Sequence, residues 1–191
     1  MQQQSTKQQI IISGVGGQGV LFITGLLAHA AIGRNLPVFT SETHGMAQRG
    51  GSVVSHLKVG GFSSPLIRPG RADGLLALKT ENIAQYRLYL KSDAWIVVNG
   101  ADKTAPAGTL PLFRVDADSL ARRIDNPRSA NLILLGFALA CMPLLAAEQT
   151  KIFCTVEEIK SVLTTRLSGS TALREASLSA LEAGFNHIPK Q

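Results

Sequence analysis

The chain has 191 residues, 45% of them hydrophobic, and a formal charge of +6 at pH 7. That length supports one substantial core and leaves little room for a second full domain. Its cations favour acidic partners such as phosphates, but they are scattered, Arg49-Gly50-Gly51 is a single triplet, and the aromatic content is 5%, which argues against a nucleic-acid binder.

The first nine residues, MQQQSTKQQ, are polar and lack an apolar signal core, so residues 1–9 are expected to form a flexible leader before a single domain over 10–191. An apolar run from Ile10 then meets the glycine framework Gly14-x-Gly16-x-x-Gly19. A helix-like pattern from Val20 to Ile32 follows directly, apolar on nearly every face, with Gly33 as its expected stop. Pro37 to Thr40 begins a second strand that reaches Ser41 and Glu42. After a polar loop, Thr43 to Gly51, the alternation from Ser52 to Val59 has strand periodicity.

Gly60 to Arg71 is rich in Gly, Pro and Ser and reads as a surface connection. Asp73 to Leu78 predicts a short buried strand. Glu81 to Leu90 predicts a helix burying Ile83, Tyr86 and Leu90 while Asn82, Gln85 and Lys91 stay wet. Asp93 to Val98 is the most strand-like run, and Leu110 to Val115 adds another. Helices follow over Asp116–Ile124 and Ser129–Met142, the latter ended by Pro143.

The lipophilic tract Leu132–Ala147, broken by Gly136 and Pro143, falls short of the roughly 20 residues of a membrane helix. Thr155-x-x-Glu158 has capping-box spacing. Ser170 to Phe185 is amphipathic, with Leu173, Leu178 and Leu181 as expected contacts. The alternation of strands and helices predicts an α/β protein, a three-layer α/β/α Rossmann-like domain with a largely helical C-terminal part. Two cysteines, Cys141 and Cys154, make neither a disulfide framework nor a cluster motif and fit a reducing, cytoplasmic setting.

Two segments carry chemistry. A strand that reverses through glycines into a helix presents free amide groups to an anion, so Gly14, Gly16, Gly17, Gln18 and Gly19 are candidate phosphate or cofactor contacts. The other reading is a turn that needs glycine only for backbone geometry and packing. The loop after the second strand offers His44, Gln48 and Arg49 beside Gly50 and Gly51. In a parallel sheet these residues come near the first turn, with Arg49 giving planar bonds to a phosphate or carboxylate. Glu42 lies where a dinucleotide-binding domain holds a ribose hydroxyl, which keeps a free-standing NAD(P)- or flavin-dependent oxidoreductase as an alternative. His29, His56 and His187 are too separated for a metal site, and Cys141, flanked by apolar residues, reads as an inert buried thiol.

Taken together, GVGGQG after Ile10-Ile11-Ile12-Ser13 and SETHGMAQRGGSVVSH from Ser41 to His56 resemble the gamma-type subunit of 2-oxoacid:ferredoxin oxidoreductases. The HGMAQRGG form of the loop is most similar to the beta subunit of indolepyruvate ferredoxin oxidoreductase. The similarity continues through Asn131 to Gly136 and the C-terminal helices. The resemblance implies a complex that oxidatively decarboxylates a 2-oxo acid to its acyl-coenzyme A and passes electrons to ferredoxin, with coenzyme A as co-substrate.

This chain is not expected to act alone. Ala72-Asp73-Gly74 lacks the first glycine of a thiamine diphosphate motif, and two distant cysteines cannot hold an iron-sulfur cluster. Thiamine diphosphate, magnesium and the clusters are therefore expected on a larger partner subunit, with no metal bound here. The resemblance implies that His44, Gln48 and Arg49 face the shared site. A noncatalytic scaffold that only docks the partner is the other outcome. Neither membrane nor nucleic acid is an expected partner.

Overall fold

The computed structural model describes residues 6–44, 51–101, 108–145 and 151–187, with only the main chain at His44. Its centre is a six-stranded sheet in the order β2-β3-β1-β4-β5-β6: β1 (Gln8–Val15), β2 (Val38–His44), β3 (Ser52–Val59), β4 (Ala72–Ala77), β5 (Leu90–Asn99) and β6 (Leu112–Val115). Strands β1, β4, β5 and β6 run parallel, whereas β3 pairs antiparallel with both β1 and β2. Two residues of the polar leader thus belong to the sheet. Gln8 is buried, donates to the Lys151 carbonyl and accepts from the Phe153 N–H.

Both faces of the sheet are covered, which is why β1 reads as a continuous apolar run rather than an alternation. Ile10 and Ile12 point into one core with Leu57, Leu76 and Val97, while Ile11 points into the other with Val54, Leu75 and Ile96. The first core is closed by α1 (Val20–Gly33), α3 (Ala117–Arg123), α4 (Ala130–Cys141), α5 (Val156–Arg166) and α6 (Thr171–Phe185). The second is closed by the short α2 (Glu81–Tyr86) and by Ile67 from the Gly60–Arg71 connection. The arrangement is the expected three-layer α/β fold with unequal outer layers. Among the described residues no helix is long and apolar enough to cross a membrane.

Several boundaries differ from the sequence reading. The helix predicted over Glu81–Leu90 stops at Tyr86, passes through a 3-10 turn at Arg87–Tyr89, and gives Leu90 to β5, where it pairs with Ala72. Sheet pairing outweighs helix periodicity there. Asn82 is buried rather than wet, and Leu173 is 54% exposed while Leu181 is fully buried. Gly33 remains helical; the left-handed residue that ends α1 is Asn35, at φ 55°. The capping box at Thr155 and Glu158 forms as expected.

Helices α4 and α6 touch backbone to backbone. A Cβ on Gly136 would fall on the Leu181 carbonyl oxygen, and one on Gly184 on that of Ile133. The glycine that interrupts the lipophilic tract is therefore a packing device.

His56 gives the fold a pH dependence. Its Nδ1 accepts from the Ile67 N–H at 3.2 Å, which ties the Gly60–Arg71 connection to β3, and its ring meets Tyr89 edge-on at 5.8 Å. Burial first and the Lys58 charge second lower its pKa. Below about pH 6.5 the unfolded chain then binds a proton that the folded chain refuses, so the stability present above that pH is lost as pH falls. The urea midpoint should drop between about pH 7.5 and 5.5 in the wild type and drop less in His56→Gln. Equal drops would contradict the assignment.

Candidate functional site

The glycine framework closes the C-terminal end of β1. The Gln18 N–H donates to the Val15 carbonyl at 3.1 Å, and Gly17, at φ 92°, occupies the turn position that requires the left-handed region. Gly19 is the N-cap of α1 at φ 81°. A side chain on Gly14 would come within 2.8 Å of Gln18 Oε1. That oxygen accepts from the Val15 N–H at 2.9 Å, and Gln18 Nε2 reaches the Leu78 carbonyl at 3.5 Å. The Gln18 amide thus braces the turn from within.

Helix α1 has no side-chain cap and no acidic residue in its first turn. The amides at such an end have no partner within the helix, and the helix dipole adds partial positive charge there. Beside them lies a half-open cavity of about 470 Å³ lined by Val15, Gly16, Gly17, Gly19, Val20, Leu21, Phe22 and Val53. Among the described residues its lining carries no carboxylate. An apolar wall around uncapped amides accommodates the anionic end of a partly apolar molecule.

A hairpin, not a parallel crossover, brings the second segment here. Val53 pairs with His44 on one side and with Gly14 on the other, and Ser52 pairs with Val15. The Gly16 N–H then donates to the Gly51 carbonyl at 3.1 Å. His44 and Gly51, the two ends of the loop, are therefore held beside the glycine turn. The His44 side chain, Gln48, Arg49 and Gly50 lie outside the described residues.

The ground for a ribose role of Glu42 is absent. A dinucleotide-binding domain sets its second strand parallel and adjacent to the first. Here β3 intervenes, and Glu42 sits on the outer strand, exposed, paired with Ser55.

One residue of the turn's surroundings had no role assigned from the sequence. Asn131, in the first turn of α4 and 7% exposed, places Nδ2 where a Cβ on Gly19 would fall, and its Oδ1 accepts from the Leu132 N–H at 2.8 Å. The starts of α1 and α4 thus meet at Gly19. The signals available were an asparagine ahead of the apolar run Leu132–Leu135 and its place in the resembling segment Asn131 to Gly136.

Other reactive groups lie elsewhere. Burial pushes the thiols of Cys141 and Cys154 up to about 12, which leaves both protonated at neutral pH and poor nucleophiles. His29 contacts the Gly25 carbonyl and His187 packs near Phe137. Among the described residues no three His, Cys, Asp or Glu side chains converge as a metal site.

Comparison with known proteins gives a consistent result. Residues 9–187 match the family described as pyruvate ferredoxin/flavodoxin oxidoreductase. The indolepyruvate oxidoreductase subunit IorB of Archaeoglobus fulgidus is 30% identical over 199 residues, 93% of each chain. The keto/oxoacid ferredoxin oxidoreductase gamma subunit of Geobacter sulfurreducens superimposes with a TM-score of 0.71 at 24% identity, over 93% of this chain and 96% of that one. The 2-oxoglutarate:ferredoxin oxidoreductase of Magnetococcus marinus, solved with 2-oxoglutarate, coenzyme A and succinyl-CoA bound, gives 0.72 at 20% identity. The match covers 95% of this chain but 31% of that one.

Proposed function

The chain belongs to the pyruvate ferredoxin/flavodoxin oxidoreductase family, and on that premise we propose that it is the smaller subunit of a 2-oxoacid:ferredoxin oxidoreductase that accepts arylpyruvates such as indolepyruvate. The observation that carries this reading is the end-to-end match to an indolepyruvate oxidoreductase subunit, 93% of each chain. The larger subunit supplies thiamine diphosphate, magnesium and iron-sulfur clusters; the two cysteines of this chain fall short of the four thiolates that hold a cluster. The complex oxidatively decarboxylates the 2-oxo acid, transfers the acyl group to coenzyme A and delivers electrons to ferredoxin. Its place of work is the cytoplasm.

In this account the glycine turn is one wall of the shared site. Its uncapped amides receive an anionic group, a phosphate of coenzyme A or the carboxylate of the 2-oxo acid. His44, Gln48 and Arg49 complete the wall from the loop whose ends flank the turn, with Arg49 supplying a planar pair of donors. Gly16, Gly17, Gly50 and Gly51 allow the close approach of main chain to ligand, while Gly14 and Gly19 shape the turn by making room for Gln18 and Asn131.

Arg49→Ala in the reconstituted complex tests the loop. Loss of a charge-assisted contact should raise the apparent KM for coenzyme A or 2-oxo acid, or lower kcat, by about tenfold or more. Unchanged turnover and unchanged KM for both in a fully assembled complex would leave the loop as a docking scaffold.

A further inference from the structure

At the opposite end of the sheet from the glycine turn, where Gln8 pairs with Val59, cations gather around one aromatic ring. Lys58 on β3 is 6% exposed; its Nζ donates to the Leu66 carbonyl at 3.1 Å and lies 4.6 Å from the centre of the Phe62 ring. Lys7 Nζ is 5.8 Å from the same ring. Arg68 follows Ile67, whose N–H is tied to the same strand, and its charge, after burial, weakens the hold of Lys58 on its proton.

Among the described residues none of these cations is ion-paired. Asp73, a carboxylate at this end of the sheet, is taken by Lys91 and by the Gln9 N–H. An ammonium has three donors, and here one carbonyl and one ring face satisfy it. Gathering like charges without a counter-ion costs free energy in the isolated chain, a cost that an incoming anion offsets. Leu66 beside the cluster is 53% exposed and Phe62 half-buried, so the patch is apolar as well as cationic.

We infer that Lys7, Lys58 and Arg68, with Phe62 and Leu66, form a docking point for an acidic segment of the larger subunit, one that sets a carboxylate next to an apolar side chain. The inference rests on the subunit reading above and adds a second contact, roughly 25 Å from the glycine turn at about 3.3 Å per residue along β1. Charge complementarity selects the occupant: the patch offers donors and an apolar ring but no free carboxylate for a cationic partner.

The test titrates wild-type chain and the Lys7→Glu/Arg68→Glu variant against separately purified larger subunit over a sodium chloride series. Both replaced side chains are exposed, and matching thermal unfolding confirms that the variant folds. The variant should bind about tenfold or more weakly at low salt, and wild-type affinity should fall more steeply with salt than the variant's. Equal Kd and equal salt slopes overturn the inference. It is also overturned if the variant assembles normally but loses binding of inorganic phosphate seen in the wild type, which makes the cluster a small-anion site. Wild-type self-association abolished in the variant, with heteromeric affinity unchanged, overturns it in favour of a second copy. Failure of the wild type to bind the larger subunit removes the subunit reading and this inference with it.

Discussion

Replacing Gly19 with alanine should cut turnover of the reconstituted complex by about tenfold or more and destabilise the chain. Two costs coincide at this position. The residue sits at φ 81°, where an ordinary L-residue is disfavoured by about 1–2 kcal/mol. Its new Cβ would also fall on Asn131 Nδ2, and overpacking of this kind costs about 1–3 kcal/mol. Swinging Asn131 aside relieves the clash at the cost of its bond to the Leu132 N–H, and moving the start of α1 relieves it by displacing the amides proposed to meet the anion. Gly19→Ala combined with Asn131→Ala removes the collision but not the backbone strain, so the pair should recover part of the urea midpoint lost by the single variant. Full recovery would show that φ strain is irrelevant; no recovery would remove Asn131 as the obstacle.

Gly136→Val should lower stability by about 1–3 kcal/mol or more without touching the site. The cost arises because its Cβ meets main chain, the Leu181 carbonyl oxygen and the Phe185 nitrogen, rather than a side chain that can swing aside. Helices α4 and α6 must separate. Since α4 is buried almost throughout, the separation opens the larger core. Against a total of roughly 5–15 kcal/mol that is a substantial loss. Gly169→Ala, with nothing within 4 Å of its Cβ, is the control and should leave the urea midpoint nearly unchanged. Equal midpoints for the two variants would contradict the close helix contact.

The glycine turn was legible in the sequence because its determinants are local: an apolar run, glycines at fixed spacing and a helical pattern. The sheet's mixed pairing was not. A parallel neighbour for β1 and an antiparallel hairpin demand the same apolar positions, and only tertiary contact decides that β3 lies between β2 and β1. That pairing removes the basis for Glu42 as a ribose ligand while still bringing the loop ends to the turn. The helix overextended to Leu90 fails for a related reason: Ile83 and Tyr86 have helical spacing, but Leu90 is claimed by β4 through Ala72. Asn131 was invisible as a neighbour of Gly19 because more than 100 residues separate them along the chain.

The central claim is that this chain contributes a wall to a site whose redox cofactors lie on another subunit. It is tested most directly by reconstitution: the larger subunit, loaded with its cofactors, is assayed with indolepyruvate, coenzyme A and an artificial electron acceptor, with and without this chain. The account predicts coenzyme A-dependent acceptor reduction only when both chains are present, with neither active alone. Full activity of the larger subunit by itself, at the same KM for coenzyme A and 2-oxo acid, would contradict it.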